Sequence, residues 1–384
     1  MTYAIGLSSL DTLIAPVAKA TELLVRLDER LARSAVREGF VERQNFADSA
    51  AALWLEGELV HLEDLVLHDA HMDIRTPTHE LTRAHAVLRA RRRIFSNPPD
   101  WALGRDGLLA LTGRGGVAAD GEGQKDRDGD LLTPEEGAEE SVEAAEDDPL
   151  AAEFAAIDAA LERSAKVLEG EAMPAAAKPA SMTGRHSMTG RQPQNGLVYD
   201  LDWNEDERLA EWQEVVATTR ELPAVLRAAI LLEAWADIEV LQRAAWLGPL
   251  LVAALLRQEG LAAHHLAALH LGAKTVPREH RRAKSRGDRL GAALDAIHEA
   301  AAAGLKEHDR LVLAKGQMER RLKQRRANSK LPDLVELVLS RPIVSTGIIQ
   351  ERLKVSKQGA LNLVGELGLR EMTGRGRFRA WGIL

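Results

Sequence analysis

Near the C-terminus, Ser356, Lys357, Gln358 and Asn362 fall on the outward side of a short amphipathic segment whose inward positions are Ala360, Leu361, Val364 and Leu367. These side chains suit hydrogen bonding to base edges. Gln and Asn pair bidentately with adenine, and Lys reaches guanine or a phosphate. A few residues on, Arg375, Arg377 and Arg379 alternate, so a strand would send all three to one side. Arginines so placed lie along phosphates or enter a minor groove. The chemistry on offer is recognition of nucleic acid rather than bond breaking.

Such groups need a scaffold that presents them together, and Leu331 to Leu384 reads as one, a winged helix-turn-helix. Leu334, Leu337 and Val338 give a first helix that Pro342 ends. Ser345 caps a second helix, Thr346 to Leu353, with Ile348, Ile349 and Leu353 inward. Lys354-Val355 make a tight connection, and Ser356 caps the third helix, the one that enters a major groove in this arrangement. The tail EMTGRGRFRAWGIL reads as a two-stranded hairpin with Thr373-Gly374-Arg375-Gly376 at its tip. The bland alternative is a small helical protein–protein module with a basic surface.

Other chemistries fail on their residues. No GxxxxGK[ST] loop, GxSxG elbow or GxGxxG after a strand occurs, so no nucleotide cofactor is expected. DRDGDLLTPEE, from Asp126 to Glu136, imitates a calcium loop through Asp126, Asp128 and Asp130. Leu131 stands where that loop needs Gly, however, and Gly137 where it needs Glu. His61, His68, His71, His79 and His85 gather in one region, and His68 and His71 could share a helix face, but no third ligand is defined. Ordinary surface and core histidines are the better reading, and no metal is expected.

With 384 residues, 45% hydrophobic content, much Ala and Leu and only 2 Tyr and 5 Phe, the composition is that of a mainly α protein. The absence of Cys removes disulfides and thiolate chemistry and suits a reducing, cytoplasmic setting. The N-terminus lacks a basic n-region and a long apolar core, so it is not read as a secretory signal. The most apolar run, Ala228 to Leu256, is interrupted by Glu233, Asp237, Glu239 and Arg243, so no membrane span is expected. Net charge is −8, but it is segregated. Asp120 to Glu171 holds 18 acids and 4 bases, whereas Lys315 to Leu384 holds 15 bases and 6 acids. The overall balance argues against nucleic acid; the local one argues for it.

Four regions follow. Residues 1–112 carry helical periodicity: Leu24, Leu27 and Leu31, an amphipathic run from Trp54 to Leu67, and a helix from Thr78 to Phe95. Residues 113–196 read as an acidic, largely disordered linker, with one helix from Pro149 to Leu168 and a direct repeat of SMTGR. Residues 197–327 carry expected helices at Glu205 to Thr219, Leu222 to Leu247, Pro249 to Glu259, Leu261 to Leu271 and Gly287 to Lys323, with breaks at Gly248-Pro249 and Gly260. The last helix ends in ERRLKQRR, Glu319 to Arg326, and the segment from Arg320 to Lys330 adds non-specific, salt-sensitive attraction for phosphates. Residues 328–384 are the DNA-binding module.

Three stretches carry a resemblance. WLEGELVHLEDLVLHDA, Trp54 to Ala70, resembles the N-terminal helix segment of Fic-family proteins. The run from Ala234 to Glu259 is similar to the helix pair around the Fic signature, and the winged helix to the DNA-binding tail many Fic proteins carry. The whole layout also resembles an alphaproteobacterial, often plasmid-borne family that joins a domain of unknown function to a helix-turn-helix. Alignment with the Fic signature puts Ile238 where the catalytic His belongs, and Arg243-Ala244-Ala245-Trp246 on the phosphate-cradling G-N-G-R. Glu56-Gly57 match the inhibitory Glu-Gly pair, with Ala52 in place of its Ser/Thr, and Glu56 is left with no arginine to restrain. The resemblance thus implies a split helical core that has lost nucleotidyl transfer.

The expectation is a mainly α, non-enzymatic protein with a split, catalytically degenerate core and a C-terminal winged helix-turn-helix. Its partner is DNA, its role transcriptional regulation. Winged helices commonly act as dimers on paired half-sites, and the helix from Gly287 to Lys323 offers a homodimer interface. The competing readings are a divergent Fic-like transferase and a helical interaction or antitoxin-type protein whose acidic linker mimics DNA.

Overall fold

Leucines at 24, 27 and 31 lie three and four residues apart, with Leu13 and Ala20 in line, and this stripe is buried along helix α1 (Leu10–Ala32). The computed structural model describes residues 10–72, 76–113, 203–322, 330–372 and 379–383. By compactness the chain divides into residues 1–118 with 201–384, and residues 119–200; every described residue belongs to the first unit. The acidic segment, its helix from Pro149 to Leu168, the SMTGR repeat and the calcium-like loop lie outside the described residues.

The order continues with α2 (Arg37–Glu56), α3 (Leu62–Asp69), α4 (His79–Ser96), a 3-10 turn (Trp101–Leu103) and α5 (Arg105–Leu111). After the acidic segment come α6 (Glu205–Thr218), α7 (Ala224–Ile238), α8 (Leu247–Gln258), α9 (Leu269–Thr275), α10 (Arg278–Arg281) and α11 (Arg286–Leu322). The two sets of helices share one hydrophobic core, with Leu27, Phe40 and Leu53 from the first and Ile230, Leu251 and Ile297 from the second. Among the described residues no helix is long and apolar enough to cross a membrane.

The sequence placed four boundaries differently. The run from Trp54 to Leu67 is two helices, because Gly57 takes φ 92° and Glu58 N–H donates to the Leu53 carbonyl, closing α2. The helix expected from Leu222 to Leu247 stops at Ile238, where Glu239 turns left-handed at φ 52°. Gly248 and Pro249 do not break the chain but open α8. Proline is harmless there, since a first-turn N–H has no partner to lose. Gly248 is needed because a β-carbon would meet the Trp235 ring at 2.3 Å. Lastly, the helix expected from Leu261 begins at Leu269. His264 N–H donates to Asp28 and the Leu266 carbonyl accepts from Arg91, so side chains satisfy this stretch in place of a helical ladder.

A buried polar clamp joins the two halves. Asp48 accepts from Arg91, from His270 Nδ1 (2.9 Å) and from Leu271 N–H (2.9 Å), while Arg91 Nε donates to Asn45. Burial opposes the charge on Asp48, but Arg91 and His270 outweigh it and hold the carboxyl below its usual range.

Candidate nucleic-acid interface

The C-terminal residues form α12 (Leu331–Ser340), β1 (Val344–Ser345), α13 (Thr346–Leu353), α14 (Lys357–Leu367), β2 (Arg370–Glu371) and β3 (Ala380–Gly382). Both expected caps are in place: Ser345 Oγ accepts from Ile348 N–H (3.3 Å) and Ser356 Oγ from Gly359 N–H (3.1 Å). Lys354 takes the left-handed conformation, φ 55°, which makes the turn between α13 and α14 tight. The hairpin is part of a three-stranded antiparallel sheet rather than two strands alone, for β1 adds to its edge in the order β1-β3-β2. Val344 and Glu371 flank buried Trp381 in the register.

Ala360, Val364 and Leu367 bury one side of α14, which leaves Ser356, Lys357, Gln358 and Asn362 exposed on the other. Gln358 Nε2 donates to Asn362 Oδ1 (3.0 Å), an i,i+4 pair that aligns the two amides on one face. Arg375 and Arg377 lie outside the described residues. Arg379 is tied across the hairpin, with Nη2 2.8 Å from Glu371 Oε2 and its guanidinium over Trp381. A phosphate would have to compete with Glu371 for it.

Sequence reasoning missed how firmly this domain is mounted. Arg43, buried on α2, donates to the carbonyls of Val338 (3.3 Å) and Arg341 at the end of α12, and pairs with Glu307 (2.9 Å). Burial draws the Arg43 guanidinium below its usual range, and Glu307 opposes that shift. Gly39 lies under Leu339, whose carbonyl oxygen a β-carbon would meet at 2.8 Å. Arg341 reaches Asp69 (3.4 Å), which also holds Arg92 and His85. Arg310 donates to Ile383 O (3.0 Å), and Arg321 donates to the carbonyl of Leu367, the last residue of α14. Arg321 belongs to the ERRLKQRR run, read as a loose phosphate attractant, of which residues 323–326 lie outside the described residues. No local signal separates a bracing arginine from a solvated one, since its partner lies 46 residues away.

Two further readings gain detail. His68 and His71 do not share a helix face, because α3 ends at Asp69 and His71 sits at φ 54°; His68 instead packs edge-on against His85 (4.8 Å between ring centres). Glu56 pairs with an arginine from outside the signature, for Arg83 of α4 bridges Glu56 and Glu58, while Trp246 stands at the signature's own arginine position. Among the described residues no group of three or more His, Asp or Glu is arranged to hold a metal ion.

Residues 331–384 match the model of a family described as "HTH DNA binding domain", and residues 197–323 that of a family described as "Protein of unknown function (DUF1612)". The chain is 47% identical over 390 residues to the "Uncharacterized protein y4cF" of Sinorhizobium fredii (strain NBRC 101917 / NGR234), with 100% of both chains covered. The chain belongs to the same family as that protein. In this family member, a DUF1612 region precedes a C-terminal helix-turn-helix DNA-binding domain, and the described part is mainly α.

Proposed function

We propose that the protein is a sequence-specific DNA-binding regulator that reads the major groove with α14 and holds the backbone with the basic tip of a winged hairpin. One observation carries this reading. On a domain matched to DNA-binding helix-turn-helix proteins, Ser356, Lys357, Gln358 and Asn362 share the exposed face of a helix whose other face is sealed, and two of them are already bonded side by side. Their donors and acceptors suit adenine and guanine edges, while the tip arginines suit phosphates.

The helical core then acts as a mount rather than a catalyst. Its resemblance to Fic proteins supports a common shape, but the positions that would do chemistry are spent on packing. Ile238 is buried, the Ala245 carbonyl accepts from Trp235 Nε1 (3.0 Å), and the Trp246 carbonyl receives His270 Nε2 (3.1 Å).

Selection of bound duplexes from random sequence, followed by anisotropy titration, tests the reading. Replacing Lys357, Gln358 and Arg377 together by Ala should weaken the selected site by at least about thirtyfold, since each of the two side chains that read a base edge is worth about 1–3 kcal/mol. Unchanged affinity, or affinity indifferent to salt, would reject it.

A further inference from the structure

A second concentration of positive charge lies away from the helix-turn-helix. From Lys274 to Arg289 the sequence holds seven Lys and Arg, one His and two acids, a balance of +5. The structure sorts these cations into two sets. Arg286 and Arg289 turn onto the buried carboxylate of Glu233 (3.2 and 2.6 Å), and Arg289 also donates to the carbonyls of Ala283 and Lys284. Arg281 donates to Val276 O (3.1 Å). These three fix the loop.

The remaining four, Lys274, Arg278, Arg282 and Lys284, are exposed and have no ion pair among the described residues. Two of them bear on pinned Arg281: burial, then Arg282 and Arg278, draw its guanidinium below its usual range. Lys274 stands 5.1 Å over the ring of Trp54, itself 41% exposed. Four outward cations on α9, α10 and the turn that follows, with an aromatic face beside Lys274, form a surface that attracts polyanions.

Its placement narrows the polyanion. The loop leads directly into α11, whose 37 residues extend about 55 Å at 1.5 Å per residue. At the far end of that helix, Arg321 grips the end of α14. The cations from Arg278 to Lys284 thus precede one end of this strut and α14 is held at the other, up to about one and a half turns of B-form DNA apart at roughly 34 Å per turn, while Lys274 lies part-way along it, where Gly272 packs on Ala296 and Ala300. We propose that the Lys274–Lys284 surface is a second, sequence-independent contact for the DNA backbone, which grips the duplex flanking the site bound by α14. The proposal rests on the reading of α14 as a DNA-binding helix.

The test uses the full chain, mixed-sequence duplexes of about 14 and about 60 base pairs, and anisotropy titration at several salt concentrations. One variant carries Lys274→Ala, Arg278→Ala, Arg282→Ala and Lys284→Ala; the other carries Lys357→Ala and Gln358→Ala. Because the four cations are exposed, the first variant should melt at the wild-type temperature. It should bind the short duplex like wild type yet weaken at least tenfold on the long one, with a salt slope smaller by about 0.9 for each phosphate no longer neutralised. Wild-type affinity and slope on the long duplex would overturn the proposal, as would equal weakening on both lengths. Should deletion of residues 120–171 raise long-duplex binding while the four substitutions change nothing, the surface belongs to the acidic segment and the proposal also falls. Failure of the α14 reading looks different: the second variant would then bind both duplexes as wild type does.

Discussion

At the scale of single residues, the sequence marked the polar groups that face solvent and passed over those that hold the molecule together. Asp28 is a case. It accepts from His264 N–H (2.8 Å), His264 Nδ1 (2.9 Å) and His265 Nδ1 (3.1 Å), and so ties α1 to the loop before α9. Burial raises its pKa, but the bonds from His265 and His264 outweigh that and bring it down to about 2. Since an unfolded aspartate titrates near ~3.9, the carboxylate's contribution is complete above about pH 4 and is lost as pH falls toward about 2. Asp28→Asn should therefore be less stable than wild type at neutral pH, and the gap should close in acid. Urea midpoints measured from pH 6 to pH 2.5 decide it, and parallel curves would show that Asp28 contributes nothing through its charge. None of this was legible in the sequence, where Asp28 is one acid on a helix and His264-His265 a pair 236 residues away.

At the scale of elements, local signals did well wherever the answer was local. Ser345 and Ser356 cap the helices that the sequence placed after them, Thr78 caps the helix that the sequence began at it, and Pro342 follows the end of α12 as expected. Boundaries moved where distant side chains intervened, as when Trp235 took the face of Gly248 and Asp28 held the segment before α9. The same kind of distant partner braces α14, whose terminal carbonyl receives Arg321 from α11. Replacing Arg321 by Ala should loosen the helix and weaken the selected site by about tenfold, consistent with roughly 1.5 kcal/mol for a charged hydrogen bond. Its signature is a salt slope that stays at the wild-type value, because Arg321 positions α14 rather than touching a phosphate. A slope reduced by about one would instead make Arg321 a backbone contact.

At the scale of the whole molecule, helices from both sides of the acidic segment close one core, and the helix-turn-helix is clamped to it through Arg43, Arg310, Arg321 and Arg341. On the proposed reading this core is a mount, and no transfer chemistry is expected of it: the full chain incubated with labelled nucleoside triphosphate and magnesium should retain no covalent label. Label resistant to denaturation would restore the transferase reading. The sequence by itself determined the helical class, the caps and apolar stripes, and the side chains α14 presents, because periodicity and capping act over three or four residues. Only the tertiary structure decided that Glu56 has an arginine, that Arg321 is a brace, and that the cations from Lys274 to Arg289 divide into pinned and outward sets. Those outcomes depend on partners tens of residues away, and a charge in sequence gives no sign of which carbonyl or carboxylate the fold will bring beside it.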